Sequence, residues 1–150
     1  MSASSLYSTR FAVLPEERDR VLAVWEGTLG ERGRMAAKFE WFYEQSPTGR
    51  PLALLLEWRA APESDAQVIG VATAGRRRFR WGSQPLNAGV LVDMAVRPEH
   101  RTLGPALQLQ KGLLAEGLRS GDFLYGFPNP KAAPVFQRAG YKRLGMARRH

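Results

Sequence analysis

Arg101-Thr102-Leu103-Gly104-Pro105-Ala106 joins an apolar run that ends at Val96 to a helical pattern that begins near Pro105. Strand, glycine-bearing loop and helix start, in that order, collect backbone N–H groups and the positive end of a helix dipole around one point. Such a point suits a phosphate or pyrophosphate. Arg101 opens the loop with a positive charge. A second cluster, residues 129–141, sets Asn129-Pro130 before a short helical stretch that contains Phe136, and places Gly140 after it. Asn-Pro is a good helix start, so Asn129 reads equally as a cap or as a ligand contact on residue type alone. Asp93 is a carboxylate within an apolar run; it reads either as a general base or as a buried acid fixed by hydrogen bonds.

The spacing Arg-x-x-Gly-x-Ala resembles the acyl-CoA signature Arg/Gln-x-x-Gly-x-Gly/Ala of the GCN5-related N-acetyltransferase (GNAT) superfamily. Residues 93–100, Asp-Met-Ala-Val-Arg-Pro-Glu-His, resemble that family's fourth strand and its exit into the loop. Residues 129–141 resemble its second signature, Asn-x-x-Ala-x-x-x-Phe/Tyr-x-x-x-Gly-Phe/Tyr. Two motifs in the right order carry more weight than a lone glycine loop.

The resemblance implies an N-acyltransferase that moves an acyl group, most often acetyl, from acetyl-CoA or another acyl-CoA to a primary amine by direct attack, without a metal. It implies that the main chain of Met94, Ala95 and Val96 meets the pantetheine and thioester, with the Val96 N–H as oxyanion donor. It further implies that Arg101, Thr102, Leu103, Gly104, Pro105 and Ala106 hold the pyrophosphate, and that Asn129 and Phe136 contact the cofactor. The implied acceptor is a small-molecule or peptide amine; neither membrane nor nucleic acid is required, and a homodimer is compatible.

Three residues depart from the family pattern. Phe136 stands where many members have a tyrosine that protonates the leaving thiolate, and phenylalanine has no proton to give. Thr102 replaces the commonest glycine, and Pro105 removes one N–H from the phosphate cradle. These departures leave a second reading open, a CoA-binding module without turnover. Asp93 also raises a question of face: the period of two puts Val90, Val92, Met94 and Val96 together on the side opposite to it, where family members with a glutamate base carry that base.

These residues need elements to hold them. Residues 7–14 predict a strand, and a helix starting at Pro15 carries Val21, Leu22, Val24, Trp25 and Leu29 at helical spacing. A second helix is predicted over 34–44, then a meander of strands at 52–58, 68–81 and 90–96, with Arg76, Arg78 and Arg80 on one face. A helix over 105–119, a strand over 123–127, a helix over 130–138 ended by Gly140, and a last strand over 141–149 follow. This order is also that of the GNAT fold. The expectation is one α/β (α+β mixed) domain spanning residues 1–150, with a central, mostly antiparallel mixed sheet of about six strands. The sheet is parted between the fourth and fifth strands and flanked by about four helices, and the final strand is short or truncated. Acceptor recognition in such a fold falls to the first two helices and the hairpin, here Trp25, Glu26, Glu31, Arg32, Trp41, Tyr43 and residues 76–81.

Composition narrows the alternatives. A chain of 150 residues, 44% of them hydrophobic, builds one core. It has no cysteine and only two histidines, so a disulfide scaffold is excluded and a protein-built zinc site is disfavoured. No apolar run approaches the length of a membrane span, and the start lacks a secretory pattern, so a cytoplasmic protein is expected. The net charge of +8 suits a polyanionic cofactor without demanding nucleic acid. A single-strand binder using the interleaved arginines and aromatics of residues 76–81 remains the third reading.

Overall fold

The computed structural model describes residues 6–148. One sheet, in the order β1-β2-β3-β4-β5, is built from β1 (Tyr7–Phe11), β2 (Leu52–Trp58), β3 (Gln67–Trp81), β4 (Gln84–Val96) and β5 (Phe123–Gly126). The first four strands pair antiparallel, and β5 lies parallel to β4. Helices α1 (Arg18–Trp25) and α2 (Arg32–Phe39) cover one face, while α3 (Leu103–Ser120) and α4 (Ala133–Ala139) cover the other. Burial on both faces explains why β2 reads as an unbroken apolar run, Leu52-Ala53-Leu54-Leu55-Leu56: Leu55 belongs to the core under α1 and α2, whereas Leu54 and Leu56 belong to the core under α3 and α4.

The helices show why their patterns fold as they do. In α1, Val21, Leu22, Val24 and Trp25 make one buried stripe. In α3 the stripe is Pro105, Leu109, Gln110, Leu113 and Gly117, with proline in the first turn, where its missing N–H costs nothing. Gly140 ends α4 with φ 113, the left-handed conformation that favours glycine.

Several expected boundaries move. β1 stops at Phe11, and α1 begins at Arg18 rather than Pro15, because residues 13–17 form a turn closed by Glu17 N donating to Val13 O (2.9 Å). The second helix starts at Arg32 and finishes as a π turn over Glu40–Glu44. α4 begins at Ala133, since Asn129 organises a separate turn before it. The expected sixth strand is corrected outright: residues 141–148 adopt no regular structure, and residues 149–150 lie outside the described part. Leu144 is 100% exposed and Met146 76%, so this segment, which also carries Lys142, Arg143 and Arg148, buries too little apolar surface to hold a strand in place.

The expectation for the faces of β4 also fails, for a local reason. Val92 pairs with Thr73 and Ala95 with Val71, so Asp93 and Met94 together oppose Ala72 alone. This is a β-bulge, and Asp93 takes φ 54 within it. Aspartate tolerates that left-handed conformation better than most residues. The extra residue inverts the alternation: Val92 packs under α1 and α2, while Met94 and Val96 pack under α3 and α4.

Candidate functional site

β4 and β5 pair only from Ala88↔Phe123 to Leu91↔Gly126. Beyond that point β5 ends and the chain leaves through Phe127-Pro128, whereas β4 continues to Val96. Residues 92–96 therefore face a gap on the side where a strand partner would lie. Arg97 N donates to Ile69 O (2.8 Å), so the alternation of an antiparallel ladder turns the N–H and C=O of Val96 away from β3 and into this gap. Met94 and Ala95, the other expected backbone contacts, lie on the same stretch.

A short 3₁₀ turn, Pro98–His100, carries the chain from the end of β4 to the start of α3. Thr102 takes the cap position with extended dihedrals, and Leu103 and Gly104 begin the helix. The first N–H groups of a helix have no intrahelical acceptor, so this end can receive an anion. Ala106 follows within the first turn, and Pro105 is buried. A Cβ at Gly104 would meet nothing within 4 Å. Arg101 bends back over the gap: its Nε donates to Val96 O (2.9 Å) and its Nη2 to Thr28 Oγ1 (3.4 Å). Arg101 thus ties the loop to the end of β4.

Asn129 closes the turn ahead of α4 and does not cap the helix itself, whose cap position is Ala132. Its Oδ1 accepts from Ala132 N (2.9 Å), leaving the side-chain NH₂ as its remaining donor. Phe136 is 9% exposed and packs in the core under α3 and α4, edge-on to Tyr141 with ring centroids 5.5 Å apart. Burial holds the Tyr141 phenol in its protonated form, pushing its pKa up to about 12, and the hydroxyl has no hydrogen-bond partner.

The Asp93 side chain is tied directly to α2 and to the π turn that follows it. One carboxylate oxygen pairs with Lys38 Nζ and the other accepts from Tyr43 OH (2.8 Å). Tyr43 OH also lies 2.7 Å from Thr73 Oγ1, which donates to Val92 O (2.7 Å). Trp25 Nε1 donates to the Asp93 carbonyl (3.2 Å). Tyr43 lies five positions after Lys38; in a regular α-helix the two would point about 140° apart, and the wider π turn brings both to one carboxylate. Burial, then the nearby Asp93 charge, push the Tyr43 pKa well up, so this phenol stays a donor. The network pins the bulge.

Sequence reasoning did not find Lys38, Thr73 or Gln110. Gln110 had a readable signal: it is a polar residue in the apolar stripe of α3 and is 1% exposed. Of the suggested acceptor residues, Trp25 and Tyr43 are core, Tyr43 stacked on Phe39 and Trp25 tilted against it, and Trp41 is 58% exposed. Residues 76–81 form the outer part of the β3–β4 hairpin, with Arg76 Nε donating to Arg50 O (2.8 Å) and the Arg77 guanidinium over the Phe42 ring.

No known protein-family profile matches the sequence, and no curated protein sequence matches it. Solved structures do. A predicted acetyltransferase from Clostridium acetobutylicum, solved with acetyl-CoA, superposes with a TM-score of 0.70 at 14% identity, over 96% of this chain and 95% of that one. The aminoglycoside antibiotic 6′-N-acetyltransferase from Acinetobacter haemolyticus gives 0.67 at 16% identity, over 95% and 96%. A GNAT family acetyltransferase from Staphylococcus aureus gives 0.63 at 12% identity, over 96% and 98%. By these likenesses, over nearly the whole of each chain, the chain has the GNAT fold.

Proposed function

We propose that this protein is an acyl-CoA-dependent N-acyltransferase, with acetyl-CoA as donor and a small-molecule or peptide amine as acceptor. The observation that carries this reading is that β4 runs past the end of β5 and leaves Val96 N–H facing a gap that leads to the start of α3. Acetyl-CoA supplies an activated acyl group. The chain's own residues bind and orient: the helix start, with Thr102, Leu103 and Gly104, takes the pyrophosphate, and the main chain of residues 94–96 lines the path of the pantetheine. Val96 N–H stands where negative charge gathers on the acyl oxygen during attack. Asp93, held by Lys38 and Tyr43, is the carboxylate we assign to accept the amine proton.

Neighbours that act on amines support the same chemistry, among them the aminoglycoside acetyltransferase. A second reading, a CoA-binding module without turnover, draws on Phe136, which is buried and cannot return a proton to a thiolate. Calorimetric titration with acetyl-CoA, followed by incubation with a panel of amines and a thiol-detecting reagent, separates the two. Binding with amine-dependent thiol release is expected; binding without release supports the module, and absence of binding removes both.

A further inference from the structure

Gln110 is 1% exposed, yet its Oε1 has no hydrogen-bond partner. Its NH₂ is held only by the Met94 thioether, with Nε2 3.0 Å from Sδ, and sulfur is a weak acceptor. Rotating the amide by half a turn would only change which of its two polar atoms is stranded. Native proteins leave few buried polar atoms unmatched, because each forfeits its hydration without return. A leucine at this position would continue the stripe of Leu109 and Leu113 at no such cost.

The placement suggests what the amide is for. Met94 belongs to the stretch of β4 that has lost its β5 partner, so Gln110 approaches the gap from the α3 side. Gln110 also lies seven residues after Leu103, about 10 Å along the helix from the anion-binding end, which is the reach of a pantetheine arm from its phosphate to its amides. A pantetheine carries two amide N–H donors along an otherwise apolar chain. We infer that Gln110 is a pantetheine-recognition residue: its Oε1 accepts a hydrogen bond from an amide N–H of the bound arm, while the flexible Met94 side chain holds the glutamine in place. This inference rests on the acyl-CoA reading above and adds a side-chain contact to the main-chain contacts of β4.

The test titrates the full chain with two ligands, CoA and adenosine 3′-phosphate 5′-diphosphate, which carries the same phosphates without the pantetheine. In Gln110→Leu the Kd for CoA is expected to rise about five- to tenfold, the loss of one hydrogen bond, while the Kd for the nucleotide stays unchanged and the Tm stays level or rises. Gln110→Met, unbranched and similar in length, should behave alike and guards against a packing fault in the leucine variant. Unchanged CoA affinity in both variants overturns the inference. So does a lowered Tm with unchanged affinity, which marks an amide satisfied by buried water, and so does an equal loss of both ligands, which marks a general disturbance of the fold. Wild-type protein that binds neither ligand overturns the acyl-CoA reading first, and this inference with it.

Discussion

The two halves of β4 differ in what holds them. From Ala88 to Leu91 the strand has β3 on one side and β5 on the other, and its small residues let neighbours close in. A Cβ at Gly89 or at Gly117 of α3 would overlap the Leu124 side chain, which is seated between them. From Val92 to Val96 the β5 side is open, and the strand is held by side chains instead: Tyr43, Lys38, Thr73 and Trp25 at the bulge, and Arg101 at the end. The lesson is that a sheet can expose a strand's main chain to a ligand if side chains replace the missing ladder. A missing ladder costs order, and the bulge network supplies it.

The largest expected effect breaks the first half. Gly89→Val forces a branched side chain into the space of Leu124 and should destabilise the fold by about 3 kcal/mol, read as a shift in the denaturant midpoint. A shift below about 1 kcal/mol would mean that β4 and β5 are looser than the close contact implies. Next, Tyr43→Phe keeps the stacked ring but strands the Asp93 carboxylate oxygen, and should cost about 2 kcal/mol. Hydrogen exchange should then quicken at residues 92–96 and not at 88–91; equal quickening would erase the distinction between the halves.

Gly104→Asp separates binding from folding. An acid in the first turn of α3 favours the helix, and open space surrounds the position, so the Tm should hold or rise. The same charge opposes a phosphate, and acetyl-CoA affinity should fall by more than about tenfold in calorimetry. Asp93→Asn is subtler. An amide at 93 still accepts from Lys38, and its NH₂ can donate to Tyr43, which donates to Thr73, which donates to Val92 O, so stability should change by less than about 1 kcal/mol. A large loss of kcat with unchanged Tm would identify a base, whereas a fall in Tm with retained kcat would assign the carboxylate to the bulge alone.

The smallest effect lies away from β4 and serves as a control. Arg10 hydrogen-bonds Glu17 and holds its carboxyl down to about 2, against an ordinary value of 4.5. A folded-state value below the unfolded one means that the stabilisation is complete above the unfolded value and is lost as pH falls toward 2. Arg10→Met should remove that part of the acid dependence and leave acetyl-CoA affinity at neutral pH unchanged.

Most of the fold was legible because its signals are local. β2 is an apolar run of strand length, α3 has an apolar stripe, and Gly140 stops α4 where a left-handed residue is needed. The junction of strand end, loop and helix start was legible for the same reason: the three are consecutive in the chain. The bulge was not, since a one-residue insertion in a strand has no mark in hydrophobic alternation, and it reversed the faces assigned to Met94 and Val96. Lys38, Tyr43 and Thr73 come to Asp93 from α2, its π turn and β3, across sequence distances that no spacing rule spans. The absence of a sixth strand was not legible, since Leu144 and Met146 fall at strand spacing and only the fold shows that both stay exposed.

The brevity of β5 has one more consequence. It occupies the rim of the sheet, with β4 on one side and, among the described residues, no strand on the other. A long bare rim invites foreign strands to add on and seed aggregates, yet this one offers only four residues before Phe127 and Pro128 turn the chain aside. The early end of β5 that bares part of β4 thereby also shortens this border of the sheet.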